Sequence, residues 1–318
     1  MPNQTHELAA GPLEARHLPE AARILRIAFG TFLGAPEPET FWSDRDYVNG
    51  RWRAPHVSAF AATRDGGLLG SNFATRWGSV GFFGPISVRP DLQDQGVAQV
   101  LLGRTMAEFE HWQTSQNGLF TFADSARHVG LYRKFGFYPR FLTAIMAAPA
   151  RQVAMPGGAS LFATLSPAAR DQVLCDCRAM THAIYDGFDA TDEIRAVDTL
   201  GLGNTVVVEG TAGIAGFAVC HHGPASEAGA GTCFVKIGAV RGGAAAAADF
   251  ARLLDAVEAH ACSVGMGTVL AGTNLARREV YEAMAGRGFR TAIQGVYMHQ
   301  RNEPGYCREG AWVIDDWR

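Results

Sequence analysis

An internal repeat is the feature that most constrains how this 318-residue chain folds. Residues 123–137 and 272–289 share one order of features: a small polar residue, a tyrosine and then a Gly-Phe pair. The two tyrosines, Tyr132 and Tyr281, are 149 residues apart. Such self-similarity indicates a duplicated unit about as long as this offset. Small and helix-breaking residues cluster at 150–158, where we expect the boundary between the two copies.

Each copy has the same predicted succession of elements. In the first copy, short strands joined by tight turns precede a long helix, a buried strand, a second helix and a closing strand. The segments are HVSAFAATR, LLGSNFATRW, GFFGPISVRP, AQVLLGRTMAEFEHWQ, GLFTFAD, SARHVGLYRKFG and FYPRFLTAIMAAP. An antiparallel meander followed by alternating strands and helices predicts an α+β fold. We therefore expect two tandem domains, 1–150 and 151–318, each a mixed, mostly antiparallel sheet flanked by helices.

The charge balance and the apolar pattern argue against several classes of function. The chain has 28 basic and 31 acidic residues, so no broad positive field attracts a nucleic acid. No apolar run approaches the roughly 20 residues that span a bilayer, and the N-terminus does not resemble a secretion signal. We expect a cytoplasmic protein with no membrane partner, and the sequence leaves a homo-oligomeric state open.

The six cysteines do not form a recognisable metal-binding or disulfide pattern. They are sparse for so long a chain, and no two of them form a C-x-x-C pair. Zinc sites favour ligand pairs at recurring spacings, and disulfide frameworks favour short secreted chains. We therefore expect free thiols in a reducing compartment and no bound metal.

A glycine-containing turn before the long helix is the clearest sign of a ligand. Gln93, Gly96 and Ala98 form the pattern Q-x-x-G-x-A between a strand and that helix. Small residues let backbone N–H groups approach an anion closely, and the helix N-terminus adds a positive dipole and free N–H groups. The turn therefore predicts a site for a phosphate-bearing cofactor.

The position of this turn gives the sequence a family resemblance. The turn precedes Tyr132 by about 35 residues, and the tyrosine lies in a helix that follows another strand. In this arrangement, residues 83–140 resemble the two most specific motifs of the GNAT superfamily of acyl-CoA-dependent N-acetyltransferases. Residues 232–290 look like a weaker second copy. The resemblance implies transfer of an acetyl group from acetyl-CoA to a primary amine by direct attack in a ternary complex.

The same resemblance implies roles for individual residues. Backbone groups of Ile86 and Val88 would hold the pantetheine arm of acetyl-CoA, and Tyr132 would protonate the leaving thiolate. Ser125 stands where the family usually has an asparagine that contacts pantetheine. The pyrophosphate would bind the backbone amides of Gln93, Asp94, Gln95, Gly96, Val97 and Ala98.

The sequence offers two candidates for the general base that acetyl transfer needs. Asp124 ends a predicted strand beside the expected acyl site, and His128 lies one helical turn beyond it. Asp124 is also a plausible N-cap of the helix that starts there. The acceptor itself is not identified by the sequence.

The second copy departs from the motif. Ala245 stands 149 residues after Gly96, in a stretch that lacks the Q-x-x-G-x-A pattern. A methyl group at a close phosphate approach costs proximity or backbone strain. We therefore predict a degenerate CoA loop in the second domain, while Asn274 and Tyr281 keep a second site open. The alternative function is a non-catalytic acyl-CoA-binding sensor or scaffold.

Overall fold

The computed structural model describes residues 8–211 and 213–317, and their strands form one continuous mixed sheet. The strands are β1 (Ala9–Pro12), β2 (Val57–Arg64), β3 (Gly67–Trp77), β4 (Val80–Phe83), β5 (Ser87–Val88), β6 (Gln116–Phe122), β7 (Phe137–Pro149), β8 (Ala159–Leu161), β9 (Gly203–Gly210), β10 (Gly213–Gly223), β11 (Gly229–Val240), β12 (Thr268–Asn274), β13 (Arg290–Gln300) and β14 (Val313–Asp315). The helices are α1 (Leu18–Phe32), α2 (Asn49–Arg53), α3 (Val97–Trp112), α4 (Ala126–Arg133), α5 (Pro167–Ile184), α6 (Thr191–Leu200), α7 (Ala246–Ser263) and α8 (Arg278–Gly286).

The element order repeats and confirms the predicted α+β class. Two helices, a meander of strands, a long helix, a strand, a short helix and a closing strand occur first in α1 to β7 and again in α5 to β13. Within each unit most neighbouring strands are antiparallel. The exceptions are the parallel pairs β4–β6 and β11–β12.

The two units exchange their closing strands. β13 of the second unit lies between β6 and β7 of the first, and β7 in turn lies between β13 and β12. Each of these contacts is antiparallel, with Gly295 opposite Phe122 and Thr268 opposite Pro149. The sheet therefore runs without interruption past the predicted boundary at residue 150, and each unit is completed by a strand of the other.

The hydrophobic core also crosses between the units. One cluster of buried side chains joins Trp77 and Phe82 of the first unit to Phe188, Phe217 and Trp317 of the second. The stacked rings of Tyr297 and Trp317, with centroids 4.3 Å apart, lie in the same cluster. Burial of large aromatic rings dominates core energetics, so the units are expected to fold as one body.

Helix α3 shows how local sequence positions the first unit's loop. Its buried face carries Leu101, Leu102 and Phe109, which pack on the sheet, and its N-terminus follows Gly96 directly. Among the described residues, no helix combines the length and the apolarity needed to cross a bilayer.

Candidate active site

Two strands of the first unit diverge and open a cavity. β4 and β6 pair in parallel from Val80 opposite Gln116 to Phe82 opposite Gly118. After Phe83 the chain turns away, and β5 pairs with β3 on the other side. A cavity of about 990 Å³ lies in the resulting gap. This volume is at the upper end of the range typical for ligand sites.

The backbone of β5 presents an unpaired edge to this cavity. The N–H of Arg89 donates to the carbonyl of Leu69 in β3 at 2.9 Å. Because hydrogen-bonding direction alternates along a strand, the N–H and C=O groups of Ile86 and Val88 point to the opposite edge. Both residues line the cavity. This edge can pair with an extended, amide-containing chain.

The predicted anion loop forms the polar end of the cavity. Asp94 and Gly96 both have left-handed backbone conformations, with φ of 62° and 81°. The first hydrogen bond of α3 runs from the N–H of Val100 to the carbonyl of Gly96. The N–H groups of Val97 and Ala98 therefore precede the helical bonding pattern and are available to an anion.

Most of the predicted loop residues line the cavity, but one does not. Gln93, Asp94, Gly96, Val97 and Ala98 are among the lining residues. Gln95 is exposed, outside the lining, and its side-chain oxygen accepts a hydrogen bond from Arg64 at 3.5 Å.

Two cations that line the cavity were not among the predicted site residues. Arg127 of α4 donates to Gln93 at 2.6 Å and to Asp94 at 3.0 Å, so it ties the loop to the helix. Lys134 also lines the cavity. Arg127 lies five residues before Tyr132 and Lys134 two residues after it. This closeness to Tyr132 was the signal from which the sequence could have identified both cations. Positive charge here complements a phosphate group.

Tyr132 lies where its hydroxyl group could serve as a proton donor. The residue is buried, lines the cavity and packs edge-on against Phe83, with ring centroids 5.7 Å apart. Burial raises the pKa of the Tyr132 hydroxyl above its usual value. The phenol therefore stays protonated at neutral pH.

Ser125 lies at the start of the helix that carries Tyr132. It is the N-cap of α4, and its hydroxyl accepts the N–H of His128 at 3.4 Å. It also lines the cavity. The capping role predicted for Asp124 therefore belongs to Ser125.

The two candidate bases occupy different environments. Asp124 is exposed in the turn before α4 and is not among the residues that line the cavity. His128 lines the cavity, and its ring centroid is 4.9 Å from that of Phe32. Partial burial, together with the charge of Arg127, lowers the pKa of His128. His128 is therefore neutral at pH 7 and able to accept a proton.

The corresponding gap in the second unit is filled by the C-terminal tail. β11 pairs with β12 up to Val235 and then diverges, as β4 does from β6. β14 pairs with the edge exposed by this divergence, with Ile237 opposite Asp315. Ile237 is 149 residues after Val88. The strand edge that faces the cavity in the first unit is therefore paired with β14 in the second unit.

The tail also approaches β12 closely. A Cβ atom added to Gly272 would lie 2.3 Å from the carbonyl oxygen of Asp315. At the start of α7, Ala245 has a right-handed conformation with φ of −85°, in contrast to the left-handed Gly96. Among the described residues, no group of three His, Cys, Asp or Glu side chains is placed to share a metal ion.

Part of the chain is similar to a known protein family. Residues 21–137 match the model of the acetyltransferase (GNAT) family. No curated protein sequence is similar enough to match the chain.

Several solved structures share the fold over nearly the whole chain. A putative acetyltransferase from Pyrococcus horikoshii is 12% identical with a TM-score of 0.68, over 98% of this chain and 95% of that one. A GCN5-related N-acetyltransferase from Sphaerobacter thermophilus is 15% identical with a TM-score of 0.58, over 94% and 96%. A tandem GNAT protein from the clavulanic acid biosynthesis pathway is 13% identical with a TM-score of 0.57, over 92% and 98%. Residues 21–137 are thus similar to the GNAT acetyltransferase family, and the whole chain has the tandem GNAT fold.

Proposed function

We propose that this protein transfers the acetyl group of acetyl-CoA to a primary amine by direct attack in a ternary complex. In this proposal residues 1–150 form the acetyl-CoA-binding domain, and residues 151–318 form a domain with a degenerate CoA loop. One observation carries the proposal: the open gap beside β5 connects the anion loop to the buried hydroxyl of Tyr132. A second unit whose gap is filled by β14 is consistent with a single site.

The binding contacts follow the length of the cavity. The N–H groups at the start of α3, with Arg127 and Lys134, would hold the pyrophosphate and neighbouring phosphate. The free edge at Ile86 and Val88 would pair with the two amides of pantetheine, and Ser125 would contact the same arm. These contacts would place the thioester near Tyr132.

The chemical step needs groups for two proton transfers. The neutral amine nitrogen forms a bond to the thioester carbonyl carbon, and the carbon–sulfur bond breaks. The Tyr132 hydroxyl gives its proton to the departing sulfur, while the neutral imidazole of His128 accepts the proton that the nitrogen loses. A backbone N–H near Val88 would stabilise the negative charge on the carbonyl oxygen. Asp124 remains the alternative base, acting from the solvent side.

Release of the free CoA thiol tests this function. The purified protein is mixed with acetyl-CoA and a panel of amines, and thiol release is followed with and without each amine. We expect at least one amine to accelerate release and to be recovered in acetylated form. Tight acetyl-CoA binding without acceleration by any amine would instead support the sensor or scaffold function.

A further inference from the structure

Aromatic rings form much of the lining of the cavity outside the anion loop and are called here the aromatic wall. They come from α1, from the segment after it, from β4 and β6, and from the C-terminal tail. Six of them are Phe29, Phe32, Trp42, Phe83, Phe122 and Trp317.

Two pairs of these rings are in contact, and Trp317 is fixed by its own neighbours, so the aromatic wall is largely formed before any ligand binds. The ring centroids of Phe29 and Trp42 are 5.3 Å apart, and those of Phe32 and Phe122 are 4.9 Å apart. Trp317 is fully buried, stacks on Tyr297 at 4.3 Å and donates its indole N–H to the hydroxyl of Tyr306 at 3.1 Å. Rigid rings offer a large contact area at a low entropic cost.

The lining of the cavity carries few charged side chains. Among the described residues that line it, Asp94 is the sole carboxylate, and it is paired with Arg127 beside the anion loop. Arg127 and Lys134 are the lining cations, and Arg127 is held at the anion loop by this pair. Apart from these three residues the described part of the lining offers no acid to a second ammonium group and no cation to a carboxylate. Arg45, whose guanidinium lies 5.6 Å from the ring centroid of Trp42, is itself paired with Asp44 at 3.1 Å.

We propose that the acceptor is a primary amine with a single positive charge and a flat aromatic or bulky apolar group, bound against this aromatic wall. The proposal rests on the function proposed above. A polyamine or an aminoglycoside would bury charges without partners, and an amino acid would bury an unpaired carboxylate. A single ammonium can approach the faces of the rings before it loses its proton.

The wall also assigns a role to the second unit. Trp317 belongs to the tail whose strand β14 fills the second unit's gap, and Ile293 of the exchanged strand β13 lines the same cavity. The second unit thus contributes part of the acceptor site in the first.

The test compares amines that differ in one feature at a time. Thiol release is measured with 2-phenylethylamine, with n-butylamine, with putrescine and with phenylalanine. We expect kcat/KM for 2-phenylethylamine to exceed that for each of the others by about tenfold or more, because a pocket discriminates on this scale for lost apolar groups and more for unpaired polar ones. Equal or better use of putrescine or phenylalanine would overturn the proposal.

A matched pair of variants ties the preference to the wall. Phe32 is 41% exposed, so Phe32→Ala should fold. Because Phe32 also contacts His128, the readout is the ratio of kcat/KM for 2-phenylethylamine to that for n-butylamine, and we expect this ratio to fall about tenfold. Phe141 is 57% exposed and does not line the cavity, so Phe141→Ala is the control and should leave both values unchanged. Equal losses for both amines in Phe32→Ala would count against ring recognition.

Binding of acetyl-CoA, measured by calorimetry before the amine panel, separates the two proposals. No binding would overturn the proposed function and this inference with it. Binding followed by preferred transfer to aliphatic amines would overturn this inference alone. A third outcome is a tenfold higher kcat/KM for hexanoyl-CoA than for acetyl-CoA, with no preference among the amines. That result would assign the aromatic wall to the acyl chain and would also overturn this inference.

Discussion

Asp315 of the tail and Arg277 of the loop before α8 form an ion pair whose two side chains are both 0% exposed. The carboxylate of Asp315 also accepts hydrogen bonds from the hydroxyl groups of Tyr297 at 2.8 Å and Tyr306 at 2.7 Å. Three side chains thus donate hydrogen bonds to one buried carboxylate inside the second unit. This cluster holds β14 against β11, in the gap that corresponds to the open cavity of the first unit.

Removing one partner of this pair should strongly destabilise the protein. Asp315→Ala leaves the Arg277 guanidinium buried without its counter-charge, and we expect a loss of about 3–5 kcal/mol in the free energy of unfolding. The measurement is denaturant unfolding. The double change Arg277→Met with Asp315→Leu should lose much less, because no buried charge is left unpaired.

A surface pair gives the control for this prediction. His182 and Asp186 are 3.5 Å apart with side chains that are largely exposed. Asp186→Ala should change the free energy of unfolding by less than about 1 kcal/mol. A loss of similar size for Asp315→Ala would mean that the tail is not held by the buried pair.

The loop before α3 should determine CoA binding. Acetyl-CoA at about 100 times its dissociation constant should add about 2.7 kcal/mol to the stability of the native protein. Gly96→Asp places a carboxylate beside the N–H groups of Val97 and Ala98, so this ligand-induced stabilisation should disappear. The matched change Ala245→Asp in the second unit should leave it intact. Thermal melting with and without acetyl-CoA measures this stabilisation in both variants. If Ala245→Asp binds half as many acetyl-CoA molecules as the native protein, the protein has two working sites.

Tyr132 should matter through its hydroxyl group. Tyr132→Phe keeps the ring against Phe83 but removes the proton donor, and we expect kcat to fall by about 100-fold with little change in acetyl-CoA affinity. Tyr132→Ala should in addition cost about 3–5 kcal/mol of stability, as expected for a large buried aromatic side chain. Single-turnover transfer and melting temperature give the two readouts. Full activity in Tyr132→Phe would refute the proton-donor role.

The ionisation of His128 should appear as an acid limb in the pH profile of the rate. Burial and the charge of Arg127 lower the pKa of His128 below its usual 6.5. As the pH rises, the imidazole therefore loses its proton before the pH reaches 6.5. The rate should therefore rise with pH, with a midpoint below 6.5, and His128→Gln should both lower the rate and remove this limb. A second limb, from ionisation of the amine substrate, should persist in the variant. An unchanged acid limb in His128→Gln would favour Asp124 or another base.

Local sequence was sufficient to predict most of the elements and the loop, although the single strand predicted for GFFGPISVRP is divided into β4 and β5. The order of helices and strands in the first unit, the turn at Gly96 and the helix that carries Tyr132 all depend on residues close to one another in the chain. Hydrophobic periodicity and turn chemistry report such short-range preferences directly. The repeat of 149 residues likewise predicted a tandem fold, which the comparisons confirm.

The environment of each candidate base was not contained in its local sequence. Asp124 and His128 are four residues apart and looked similar as candidates. The structure exposes the first and places the second in the cavity, because Ser125 between them starts α4 and turns the chain. The pKa of His128 is lowered by burial, which depends on distant parts of the chain.

The sequence by itself determined the two units, their elements and the anion loop, because these arise from interactions among near neighbours. Tertiary structure alone decided that β7 and β13 change places, that β14 fills the second unit's gap and that Trp317 reaches the first unit's cavity. A strand edge offers the same N–H and C=O groups to any partner, so its own sequence does not specify which strand, tail or ligand will pair with it. That choice depends on which side chains can be buried together across the whole fold.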